Sequence, residues 1–176
     1  QTDVVTTLQG VISGSTSLTK TGNSTLILTG VNIYSGTTSV STGILNIQNS
    51  AALGTSVATV LSGAQLQVQG GITASNALTL SGTGGGSGAL LNVSGTNTLS
   101  GAITLAANTT IGSTAGTLTL SNANAIGGTF NLAFAGAGNT TVSGIIATAT
   151  GTLAQGGSGT LTLSGVNTYS GATTVS

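Results

Sequence analysis

Catalysis needs groups that give or take a proton, hold a metal or attack carbon, and this chain of 176 residues has almost none. Asp3 and Lys20 are its only charged side chains, Tyr34 and Tyr169 its only phenols, and histidine and cysteine are absent. General acid–base work requires a group titrating near the working pH. No serine or threonine here has a histidine or a nearby carboxylate to activate it. Lys20 could act as a base toward Ser13 or Ser17, but a solvated lysine on a turn is the expected reading. Calcium-binding repeat rolls rely on recurring aspartates, and Asp3 stands alone in the sequence. The glycine run Gly82–Gly88 lacks the lysine and helix that follow a phosphate-cradling loop. Neither an enzyme nor a cofactor or metal site is expected.

Recognition residues give weaker signals. Tyr34 and Tyr169 could stack on sugars, although corner packing is the simpler expectation. Asn32, Asn49, Asn122, Asn124 and Asn167 read as turn residues that stack between coils. Asn92-Val93-Ser94 is a glycosylation sequon. Thr117/Thr119 and Thr160/Thr162 could order water. Ice binding, however, should show an unbroken Thr-x-Thr rank, and in sequence the threonines are interrupted by Ser, Ala, Asn and Gln. Without a basic patch, nucleic-acid binding is excluded. No stretch reaches the roughly 18–20 unbroken apolar residues of a membrane helix, and the strands are too short, with no aromatic girdle, for a membrane barrel. Gln1 opens without a signal peptide, so a leader has been removed or the segment comes from inside a longer protein.

What must position so little chemistry is a repeating scaffold. Hydrophobic residues make up 38% and aromatics only 2%, with no proline. Disorder goes with high charge and low hydropathy, the reverse of this composition. Small aliphatic side chains suit a core one or two side chains thick. Near-zero net charge hints at a polymer or a segment of a larger chain.

The segment GNSTLILTGVNIYSGTTSVS, Gly22 to Ser41, returns as GSGTLTLSGVNTYSGATTVS, Gly157 to Ser176, at a constant offset of 135. Extended upstream, the echo relates residues 6–41 to 140–176. A weaker one relates GILNIQNSAALG (43–54) to GTLTLSNANAIG (116–127). Helical periodicity is absent and two-residue alternation is general. Strands are expected at 4–8, 11–13, 25–29, 37–40, 43–49, 57–61, 65–69, 77–81, 89–94, 102–106, 109–112, 129–134 and 140–143. Leu26 and Leu28, like Leu161 and Leu163, should face the core, and Ser81–Gly88 should form a bulging turn. Many short strands with internal similarity at a fixed offset favour a β-solenoid. At roughly 20–25 residues per coil the whole chain, 1–176, makes a single segment of about seven coils and a rod about 35 Å long.

The repeated motif carries Leu26, Leu28, Gly30, Asn32, Tyr34, Gly36 and Val40 in its first copy. The second has Leu161, Leu163, Gly165, Asn167, Tyr169, Gly171 and Val175. In these residues the chain resembles the autotransporter-associated β-strand repeat, a passenger-type repeat of bacterial surface proteins. The resemblance implies a right-handed parallel β-helix, all-β with no helix of note, exported to the bacterial surface as part of a long passenger or fibre. That family's C-terminal translocator barrel is not among these residues. The expected role is a structural repeat of an extracellular filament or long surface protein, whose partner is itself, joined in tandem or end to end through continuous ladders. An adhesive passenger segment binding glycans or other cells is the alternative, and ice binding ranks third.

Overall fold

The computed structural model describes residues 4–176; Asp3 and the chain start at Gln1 lie outside them. Every strand pairing among the described residues is parallel, and the strands form three faces visited in fixed cyclic order. Face one begins with Val5–Leu8, Thr25–Leu28, Ile44–Ile47, Gln65–Gln69 and Leu90–Ser94. It continues through 109–112, Leu132–Ala135 and Leu153–Gln155 to Thr173–Val175. Face two is best formed from Thr73–Ala74 onward, through Thr96–Leu99, Thr117–Leu120 and Asn139–Val142 to Leu161–Leu163. Face three stacks Leu18–Lys20, Thr38–Val40, Ala58–Val60 and Leu78–Gly82, then 103–105, Ile126–Gly127 and Ile146–Ala147.

The molecule is therefore a parallel β-solenoid of about eight turns. One turn takes 19 residues where Thr25 pairs Ile44 and 25 where Leu78 pairs Ile103. Most turns lie near the short end of the expected range, so the chain makes eight turns rather than seven, and at about 4.8 Å per turn the rod is roughly 38 Å long.

Alternation explains the core. On face one, Leu26, Leu45, Leu66, Leu90, Ile111 and Phe134 stand in one register column. On face three, Thr38, Ala58, Leu78, Ile103, Ile126 and Ile146 form another. With Leu99, Leu118, Leu120 and Val142 from face two, most of these side chains join a single buried cluster. Each leucine, isoleucine or valine withdrawn from water contributes about 1.5–3 kcal/mol, and the ladders satisfy the backbone between turns.

Three of the expected strands differ. Residues 11–13 form none: between Gly10 and Gly14, the Ile12 amide donates to Asn32 Oδ1 at 2.8 Å and its carbonyl accepts from Ile33 N at 2.9 Å. The segments expected at 102–106 and 109–112 are one strand, Ile103–Ser113, which turns the corner from face three to face one. The glycine-rich loop holds a single 3-10 turn, Gly84–Gly86.

Candidate functional site

The repeated motif is a local device for turning corners. In its first copy Thr25–Leu28 lies on face one, Asn32 on face two and Thr38–Val40 on face three. Leu28 and Val40 are buried and Leu26 packs partly against the core. Gly30 and Gly36 lie so close to the turn beneath that a Cβ would overlap the Gly10 carbonyl and the Thr16 backbone. Asn32 bridges three successive turns: Oδ1 accepts from the Ile12 amide and Nδ2 donates to the Ala52 carbonyl at 2.7 Å. Tyr34 is fully buried and its hydroxyl pairs with Thr38 Oγ1.

The second copy repeats these contacts. Gly165 and Gly171 lie against the carbonyls of Gly144 and Gly151. Asn167 Oδ1 accepts from the Ile146 amide at 2.9 Å, and Tyr169 Oη pairs with Thr173 Oγ1 at 2.8 Å. Leu161 and Leu163 are half-buried and Val175 is 78% exposed, because no turn lies above them. Yet the copy sits one face further round. Leu161–Leu163 belongs to face two, Asn167 stacks on Ile146 of face three, and Thr173–Val175 belongs to face one. The offset of 135 thus equals six turns plus one face.

Lys20 departs from the reading of a solvated lysine on a turn. It occupies the inward position that Val40, Val60 and Leu80 hold in later turns, and is 5% exposed. Its Nζ donates to the carbonyls of Thr21 (2.9 Å), Gly22 (2.7 Å) and Thr42 (3.2 Å), which close the corner and leave no hydroxyl for it to activate. Burial lowers its pKa below the ordinary lysine value. Burial likewise raises that of Tyr34, partly offset by the bond to Thr38.

Other side-chain donors close corners in the same way. Gln65 Nε2 reaches Gly84 O, Ser87 Oγ and Gly88 O, and Gln155 Nε2 reaches Gly157 O and Gly159 O. An amide ladder that alternation alone does not reveal joins Gln48, Asn46 and Gln67 on face one. Of the expected turn asparagines, Asn49 and Asn122 hold the amides of Ala51 and Asn124 two residues on. The sequon asparagine is closed to modification in this fold: Asn92 is fully buried and donates to Ser113 Oγ and the Ala115 carbonyl. A tyrosine platform is also absent, because Tyr34 is enclosed and Tyr169 lies on a different corner.

Among the described residues no three His, Cys, Asp or Glu side chains gather as metal ligands. No helix among the described residues is long and apolar enough to cross a membrane. What the outer surface offers instead is hydroxyls in rows. Face three carries Thr19, Ser39, Thr59, Thr79 and Thr104 in line, and face two carries Thr73, Thr98, Thr119, Thr141 and Thr162.

Comparison with known proteins agrees with this geometry. The passenger-associated-transport-repeat family matches residues 18–47 and 153–176, segments that begin 135 residues apart and coincide with the two corner devices. This chain carries autotransporter passenger-type repeats. The adhesin BmaC autotransporter of Brucella suis biovar 1 (strain 1330) is 39% identical over 79 residues, 44% of this chain. The matched part spans only 2% of that adhesin's length. No solved structure matches the chain. The passenger repeats place the chain among secreted or cell-surface proteins.

Proposed function

We propose that this passenger segment is structural: its turns lengthen a surface rod, and successive segments continue one set of ladders, in tandem or end to end. The observation that carries this reading is the motif seated with the same contacts on two different faces. A rung can therefore be added wherever the preceding one stops, whatever the phase of the turn. Leu8 and Val175 support it, since they are exposed at inward register positions that a further rung would cover. Ladder edges left bare invite such pairing.

Joined at the 135-residue period, consecutive units are rotated by one face, a third of a turn, about the rod axis. Duplicating residues 22–156 within the chain should lengthen the particle by roughly 30 Å at constant cross-section in small-angle scattering. Two compact bodies joined by a flexible link would overturn the proposal. The Brucella relative's being an adhesin favours a second reading, adhesion to glycans or other cells. It predicts that the purified chain retains cells or a glycan on an array where an unrelated solenoid does not.

A further inference from the structure

Sequence order hides how the threonines of face two are arranged. Thr73, Thr98, Thr119, Thr141 and Thr162 are direct register partners on five adjacent rungs, with no other residue type between them. Two residues earlier on four of the five strands runs a second column, Thr96, Thr117 and Asn139, continued by Thr160, whose amide donates to Asn139 Oδ1 at 3.0 Å; on the first strand Gly71 stands there. The Ser, Ala and Gln interruptions seen in sequence belong to other faces, and the mesh here is interrupted by Asn139 and, on its first rung, by Gly71. Both columns are exposed or half-exposed, and the residues between them, Asn97, Leu118 and Thr140, are buried. The result is a regular two-column mesh of hydroxyls, spaced about 4.8 Å along the rod and about 6.6 Å along the strands.

We propose that this mesh is an ordered-water surface that adsorbs to ice. Threonine suits the task because its branched side chain is restricted at χ1, so each hydroxyl holds its place at little entropic cost. Its methyl group fills the space beside the hydroxyl and leaves bound water few other orientations. The face carries no charged side chain to impose a competing hydration shell. Water held in register over such a mesh has repeats close to those of the oxygen planes in ice, so adsorption costs it little reordering. Face three serves as an internal control. Its outward row, Thr19 to Thr104, has no threonine column beside it: two residues earlier stand Ser17, Thr37, Val57, Ala77 and Ala102, with hydroxyls on the first two turns only. A single row gives no two-dimensional match. The proposal stands independently of the filament reading, since it needs only one chain.

The test is ice-recrystallisation inhibition and partition into a growing ice front by the whole chain. Two variants accompany it, Thr119→Lys in the centre of face two and Thr59→Lys on face three, each checked for β-structure by circular dichroism. The wild type and Thr59→Lys should be retained in ice and hold crystals small, and Thr119→Lys should lose both properties while remaining folded. Exclusion of the wild type from ice would overturn the proposal, and so would equal loss in both variants. So too would a concentration-dependent dimer, abolished by Thr119→Lys, in a wild type that ice excludes; face two would then be a contact between copies.

Discussion

At the scale of single residues, the contrast between the two motif copies turns geometry into energies. Asn32 is buried and bridges the turn beneath and the turn above it. Replacing it by alanine strands the Ile12 amide and the Ala52 carbonyl, at a cost of about 1–3 kcal/mol for each group left without a partner. Asn167 is half-buried and its Oδ1 holds the Ile146 amide. Asn167→Ala should therefore destabilise by about 1 kcal/mol, and chemical denaturation should rank Asn32→Ala well below it. Gly30→Ala should be as damaging as Asn32→Ala for a different reason: the added Cβ meets the Gly10 carbonyl, which is backbone and cannot swing aside.

Titration adds a further residue-scale expectation. Tyr34 keeps its proton in the folded chain above its ordinary pKa, so the unfolded chain ionises first, at about pH 10, and stability falls as pH rises through that value. The buried Lys20 acts oppositely. Its folded pKa is lowered, so the unfolded chain binds more protons between the two values and stability rises with pH across that window. Tyr34→Phe loses the bond to Thr38, about 1 kcal/mol at neutral pH. Its deficit against wild type should shrink above about pH 10, where the wild type alone pays for Tyr34 ionisation; a deficit unchanged up to strongly alkaline pH in thermal melts would contradict this.

At the scale of elements, the unit of construction is one turn. On face three Thr38 pairs Ala58 and Ala58 pairs Leu78, a period of 20 residues in each case. Deleting residues 38–57 removes one whole turn and returns every later side chain to its own face, so the variant should fold and melt cooperatively. Deleting 38–47 shifts all later residues round the shaft by half a turn and should leave the chain unable to fold, as circular dichroism would show. The sequence discloses this layer well: alternation sets which side chains face inward, and the recurring Gly-x-Asn-x-Tyr corner announces the solenoid and its family. Phase is hidden. The 135-residue offset suggests a repeat in one register, but local corner chemistry cannot sense which face it occupies, and the 25-residue turns at Leu78–Ile103 and Thr73–Thr98 shift the count. The burial of Lys20 is equally illegible along the chain. Three carbonyls supplied by two different turns make an inward ammonium tolerable, and residues 21 and 42 meet only in the fold. The face-two threonines are obscured likewise, being neighbours across turns and not along the chain.

At the scale of the whole molecule, stability is close to a sum of turns and of the interfaces between them. A central turn such as 65–89 is laddered on both sides, to Ile44–Ile47 below and to Leu90–Ser94 above. The rungs Val5–Leu8 and Thr173–Val175 are laddered on one side, and their inward side chains meet water. Opening should therefore proceed from the ends, with local free energies well below the global value. Hydrogen exchange should show the strongest protection for amides in Gln65–Gln69, Leu90–Ser94 and 109–112, and the weakest in the two end rungs. Appending one 20-residue turn with the sequence of Gly22–Ser41 after Ser176 should raise the protection of Thr173–Val175 toward that of the interior, because those amides and carbonyls gain ladder partners and Val175 gains a cover. Protection of Thr173–Val175 that stays unchanged after the addition would mean that the new turn does not continue the ladders, and the rod would then not extend by simple accretion of rungs.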